Sequence, residues 1–203
     1  MLSKLFNWLG SFNDPNTKRN LEYRADYYFN RIFFKRVISF YDDINYHIST
    51  NSIKTSTAEF NPLPKIQFGD SIKSVQGLLG KHKFSYSNHS TENLIQVLFY
   101  RIAIETFYSF VQLQFHNDKL YFIGIDNAKS MPSEKEKLLI LNSIMKAQLP
   151  TSLNKISDYK TIQDANGHFI YLNDEINFSI CFLDKQYLNN REQLSLALNS
   201  TSQ

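Results

Sequence analysis

The sequence predicts an α+β fold, with hairpin-linked strands forming an antiparallel sheet, or sheets, packed with helices. Three observations carry this expectation. Apolar residues recur at helical spacing in two long stretches, 21–48 and 138–149. Short runs rich in Val, Ile, Phe and Tyr follow each stretch, separated by Asn-Asp and Asn-Gly pairs that suit tight turns. Helices stand apart from blocks of strands, whereas a doubly wound parallel sheet would alternate single strands with helices.

Leu2, Leu5, Phe6, Leu9 and Phe12 share one helical face, so the first dozen residues read as a short amphipathic helix, ended by Asp14-Pro15. With only Lys4 on its polar face, docking on the body of the protein is favoured over a membrane surface. A second helix runs through "NLEYRADYYFNRIFFKRVISFYDDINYHIST", where Leu21, Ala25, Tyr28, Phe29, Ile32, Phe33, Val37, Phe40, Ile44 and Ile48 trace one face. Residues 49–65 form a connector with a strand before Pro62.

In "FGDSIKSVQGLLGKHKF", Asp70 or Ser71 caps a helix that buries Ile72, Val75, Leu78 and Leu79. Gly80 is expected to end it in a left-handed conformation. "HKFSYSN" is a weakly alternating strand, and "NLIQVLFYRIA" (93–103) is a central strand, apolar on both faces. Residues 106–126 form a hairpin turning at Asn117-Asp118, with Val111, Leu113 and Phe115 on one face and Gln112 and Gln114 on the other.

Ser133 and Glu136 make a capping box for the next helix, which Pro150 stops. Its stripe is Leu138, Leu141, Met145 and Leu149, widened by Ile140 and Ile144. Residues 159–184 read as three strands turning at Asn166-Gly167 and Asn173-Asp174, and a tail helix is expected from Gln186 to Leu198. The chain thus divides into a helical region, 1–60, and an α+β body, 61–203. The body reads as two helix-then-strands units, 65–130 and 131–185, followed by the C-terminal helix.

A chain of 203 residues with 42% apolar and 20% charged residues can bury a core. Its bias toward Asn, Lys, Ile, Phe and Tyr suggests an AT-rich bacterial genome. The net charge is only +3, and Arg24, Arg31, Lys35 and Arg36 are diluted by Asp26, Asp42 and Asp43, so no nucleic-acid partner is expected. No run approaches the ~20 apolar residues of a membrane span, and no secretion leader is recognised, so the expected location is cytoplasmic. Cys181 stands alone in an alternating strand, which excludes an internal disulfide and reads as a buried, inert thiol.

Chemical motifs are sparse. Gly80-Lys81 is followed by His82 where a phosphate loop requires Ser or Thr, and no Gly-rich dinucleotide turn is present. His47, His82, His89, His116 and His168 lack metal-ligand spacing, and Cys181 has no activating context. The adjacent carboxylates Asp42-Asp43 and Asp174-Glu175 point to different faces, unlike a converging catalytic pair. No catalytic residue, metal or cofactor is therefore assigned.

"KIQFG", "DSIKSVQGLLGK" and the strands after them resemble the superfamily of BamE/SmpA-like and beta-lactamase-inhibitor-protein-like domains. Gly69, Ser71, Val75, Leu79 and Gly80 match its G-(S/T)-x-x-x-V-x-x-x-(L/I)-G helix, and the segment Val111–Leu120 matches its hairpin. The likeness spans residues 65–126, with Lys81 near the place where that family favours proline. The resemblance implies a helix-on-sheet platform that binds another protein without chemistry of its own.

The expected function is accordingly a non-enzymatic bacterial protein-binding module, specifically a cytoplasmic immunity protein that neutralises a toxin. The candidate partner-binding residues are Tyr108, Phe110, Gln112, Gln114 and His116, joined by Tyr121 or Phe122, which alternation places on opposite faces. The N-terminal helices are an alternative cover for the same row. Two other readings stand beside this one. The first is a membrane-surface or secretion-associated accessory protein held by Met1–Phe12. The second is a hydrolase in which His82, His89 or His116 meets a carboxylate in a cleft.

Overall fold

The computed structural model describes residues 34–57, 59, 62–87, 94–104, 107–127, 132–145, 161–173 and 178–190. The expected helix at 2–12 and the first half of the helix at 21–48 lie outside them. The chain divides into two compact units, Met1–Ser39 and Phe40–Gln203. Every contact described below lies within the second.

The order of elements is α1 (Phe34–Ser49), β1 (Lys54–Thr55), α2 (Ile72–Leu79), β2 (Phe84–Ser87), β3 (Ile95–Ile104), β4 (Phe107–His116) and β5 (Lys119–Asn127). Then come α3 (Glu134–Met145), β6 (Thr161–Gln163), β7 (Phe169–Asn173), β8 (Ser179–Leu183) and a 3₁₀ turn, Lys185–Asn190. All eight strands form one sheet in the order β1-β6-β7-β8-β5-β4-β3-β2. The architecture is α+β and mostly antiparallel, with β1 and β6 as a single parallel pair. The strand foreseen in the 49–65 connector is thus β1, which lies along the far edge of the sheet.

Pairing register defines two faces, because directly opposed residues point to the same side. One face is aliphatic. Leu98, Val111, Leu113, Ile123, Ile125, Ile170, Leu172, Ile180 and Phe182 form a single buried cluster there with Val75 of α2 and with Ile140 and Leu141 of α3. The opposite face carries Gln112, Gln114, Phe122, Cys181, Leu183, Tyr171 and Phe169, linked by cross-strand pairs. Phe40 of α1 lies on this second face, edge-on to Phe122 at 5.9 Å and to Tyr171 at 5.3 Å. The phenol of Tyr171 donates a 2.7 Å hydrogen bond to Asp43 of the same helix.

The short α2 is held by its ends as much as by packing. Ser71 caps it, its Oγ accepting the Ser74 N–H at 3.1 Å. The Ile72 N–H donates to Asp118 Oδ1 at 2.9 Å, so a residue of the β4–β5 turn completes the helix start. Gly69 N–H to Leu120 O (2.8 Å) and Leu120 N–H to Asp70 O (2.9 Å) fasten the same segment to β5. Asn117 and Asp118, at φ of 49° and 62°, make the two-residue turn between His116 and Lys119.

Five local expectations are corrected. Leu78 is exposed rather than buried, because it lies off the stripe of Ile72, Val75 and Leu79 on a helix of eight residues. Gly80 has φ 75° and ψ −157°, an extended conformation open essentially to glycine alone, not the left-handed helical one. The strand β3 lies second from one edge of the sheet rather than at its centre. Its first half is nevertheless buried on both faces, with Ile95 and Val97 on one and Leu98 and Tyr100 on the other. Asn173 belongs to β7 and pairs with Ser179 rather than opening a turn. Cys181 is half-buried rather than buried, opposite Gly124, which has no side chain to cover it.

Two end signals read from sequence correspond to observed contacts. The Ser133 N–H donates to Glu136 Oε2 at 2.8 Å, and the Glu136 N–H reaches Ser133 Oγ at 3.4 Å. Gly167, at φ 83°, donates its N–H to Asp164 O at 3.0 Å in the loop between β6 and β7. In place of the start of a tail helix, residues 185–190 form a 3₁₀ segment; residues 191–198 lie outside the described part.

Candidate functional site

The β4 row nominated from sequence does lie on one face, but its exposure is uneven. Phe110 is 46% exposed, whereas Gln112 is 8%, Gln114 1% and His116 9% exposed. Tyr121 and Phe122 are buried as well. The side chain of Tyr108 lies outside the described set. The expectation of an open row is therefore corrected for Gln112, Gln114, His116, Tyr121 and Phe122. Phe110 alone among the described candidates stays open.

A second correction concerns Tyr121 and Phe122, which strict alternation places on opposite faces. The register shifts between Gln114 and Phe115, so that Gln114 pairs with Phe122 and Phe115 with Leu120. Tyr121 is the additional residue of this bulge. Its phenol turns to the same side as Phe122 and donates to Gln114 Oε1 at 2.6 Å. A one-residue insertion thereby brings both aromatic side chains to the covered face.

Around that hydrogen bond lies a layer of tyrosines. The ring of Tyr187, from the 3₁₀ segment, stacks on Tyr121 at 4.7 Å and meets His116 edge-on at 5.7 Å. Burial holds the Tyr121 hydroxyl well above the usual phenol range, reinforced by Tyr41 and then Tyr187. Tyr41 is also raised, by burial first and then by Tyr187 and Asp184. Burial raises Tyr187 and lowers His116, so each is pushed toward its neutral form. The layer favours uncharged groups.

Of the histidines considered for a hydrolytic site, His82 and His116 are not brought together. His82 lies against Tyr100 at 6.4 Å and within 3.2 Å of the Gln76 amide, while His116 meets Tyr187 across the sheet. His89 lies outside the described residues. A different pair meets instead: His168 Nδ1 is 3.4 Å from Asp184 Oδ1. Sequence reasoning missed it because the turn was placed at Asn173-Asp174. The observed Phe169–Leu183 pairing is what brings the adjoining His168 and Asp184 side by side. The ring of His168 also lies on Phe68 at 4.8 Å, and the Lys185 N–H reaches the same Nδ1 at 3.4 Å. Those contacts tie the end of the β7–β8 pair to the segment before α2.

The open end of the row is a different surface. Phe110 pairs with Arg101 across β3, and Arg101 and Ala103 are both exposed. This end extends past the reach of β2, whose pairs stop at Phe99. Tyr46 and Ile48 on α1, Leu78 and Leu139 are the other large apolar side chains exposed among the described residues. None of the described residues forms a cluster of three or more metal-ligating side chains. No described helix is long and apolar enough to cross a membrane. Met1–Phe12, invoked for a surface-bound reading, lies outside the described set.

No protein-family model matches the chain, and no curated protein sequence matches it. Among solved structures it is similar to a cysteine-rich secretory protein from Staphylococcus aureus subsp. aureus Mu50, at 14% identity and a TM-score of 0.38. That alignment covers 69% of this chain and 53% of the other, so the chain spans about half the length of that structure.

Proposed function

We propose that the protein is a non-enzymatic binding module that engages another protein through the β3–β4 end of its sheet, with Phe110 as the anchor. The observation that carries this reading is the 46% exposure of Phe110 on a regular strand whose next inward neighbours on the row, Gln112 and Gln114, are buried. Exposed Phe and Arg side chains are enriched in interfaces, and Phe110 faces Arg101 across the ladder. A rigid antiparallel ribbon presents such a pair with little ordering cost on binding. The specific form of the reading is a bacterial immunity protein that neutralises a toxin in the cytoplasm. A helix-on-sheet platform of the inhibitor-like kind, which the sequence resembles, suits that role.

The test compares affinity purification of the wild-type chain and of Phe110→Asp from the native host. A stoichiometric polypeptide recovered with the wild type and lost with Phe110→Asp is expected. Unchanged thermal melting would show that the variant remains folded. If that polypeptide is a toxin, co-expression of the wild type restores growth and co-expression of the variant does not. Failure to recover a stoichiometric partner under any growth condition, or equal recovery with both forms, would overturn the proposal.

A further inference from the structure

Five buried polar side-chain atoms among the described residues have no hydrogen-bond partner: Tyr41 OH, Ser109 Oγ, Gln112 Nε2, Gln114 Nε2 and Thr161 Oγ1. Buried polar groups are nearly always paired in folded proteins, so each of these needs a reason. Their placement is uneven. Gln112 and Gln114 lie on the covered face of β4, and Thr161 shares that face through its pairing with Tyr171. Tyr41, buried on α1 beside Phe40, approaches the same face, where it adds to the rise that burial gives the Tyr121 hydroxyl. Ser109 alone lies on the aliphatic side.

Two atoms of this set, the glutamine nitrogens, can only donate. The one Oε1 accounted for, that of Gln114, is already taken by the Tyr121 phenol. The tyrosine and threonine hydroxyls also have a proton to give. The layer therefore leaves two pure donors, the glutamine amide nitrogens, unpaired beside hydroxyls that can donate as well as accept. It also offers no compensating cation: burial favours neutral His116, and Asp184 acts on Tyr41 as a nearby acidic group. An anion brought here would lose its hydration without a counter-charge. A neutral acceptor could pair with an unpaired amide donor without that cost.

We propose that the covered face, between α1 and β4–β5, holds a binding site for a neutral oxygen acceptor, supplied either by an ordered internal water or by the carbonyl of a bound small molecule. The site is independent of the partner surface at Phe110, so either can fail without the other.

Tyr41→Phe removes the unpaired hydroxyl contributed by α1 and preserves the ring. With the site filled in solution, that hydroxyl has a partner, and its loss lowers the melting temperature by about 2–5 °C. An unchanged or higher melting temperature overturns the proposal, because deleting an orphaned buried hydroxyl is neutral or stabilising. The source is then read from the purified wild-type chain. Native mass spectrometry showing an added mass that Tyr41→Phe weakens identifies a bound molecule. The bare polypeptide mass, with ordered crystallographic density between Tyr41 and the two glutamines, identifies water. The absence of both added mass and ordered density also overturns the proposal.

Discussion

The two faces of the sheet are closed by different chemistry, although the same strands supply both. On one, aliphatic side chains from β3 to β8 interdigitate with Val75, Ile140 and Leu141, and packing alone accounts for the contact. On the other, rings and amides predominate: Phe40 lies edge-on to Phe122 and Tyr171, Tyr187 stacks on Tyr121, and Gln114 accepts a hydrogen bond from the Tyr121 phenol. Four of the five buried polar atoms without partners fall on this second face. An aliphatic face needs only volume and shape, whereas a face built from tyrosine and glutamine also needs every donor and acceptor to be matched. The covered face is thus the one where stability depends on hydrogen bonding and protonation.

The largest effect is expected from Phe40→Ala, which removes the ring that contacts both Phe122 and Tyr171. Truncating a buried phenylalanine costs about 3–5 kcal/mol, to be read as a lower urea midpoint. Loss of less than ~1 kcal/mol would show that α1 contributes little to closing this face.

Alkaline titration sharpens the contrast further. Tyr41 and Tyr121 have their hydroxyl pKa raised by burial, so the folded form holds its protons where the unfolded chain releases them. Their contribution is complete below the unfolded value near pH ~10 and is lost as pH rises above it, at up to about 1.4 kcal/mol per pH unit for each fully buried group. Urea unfolding at intervals from pH 9 to 11 should show this fall, and Tyr121→Phe should flatten it. A slope identical in wild type and Tyr121→Phe would mean that the layer does not hold its protons in this way.

The smallest effect concerns the attachment of α2. Asp118→Ala removes the carboxylate that accepts the Ile72 N–H and should cost about 0.5–2 kcal/mol, the range for losing a helix cap. Faster amide exchange should be confined to the start of α2 and the β4–β5 turn. Protection lost instead across β4 and β5 would show that Asp118 supports the whole ribbon.

Local signals in the sequence were legible where neighbours in the chain decide the outcome. Ser133 and Glu136 bond reciprocally because a capping box needs only one turn of helix. The pair Asn117-Asp118 tolerates the positive φ of a two-residue turn, and Ser71 caps α2. The candidate row was legible only in part. Alternation correctly grouped Phe110, Gln112, Gln114 and His116, but it carried no information about what lies above them. The bulge at Tyr121 was invisible for a related reason: an inserted residue changes register with a distant strand and leaves no mark on local spacing.

The sequence by itself determined the α+β class, the helix start at Ser133, the cap at Ser71 and the alternation of β4, because each follows from backbone geometry over a few residues. Tertiary structure decided the rest: one eight-stranded sheet with a parallel edge pair, the meeting of His168 with Asp184, and the burial of Gln112 and Gln114 while Phe110 stays open. Those outcomes depend on contacts between residues far apart in the chain, and the apolar or polar character of a side chain does not say which distant element will cover it.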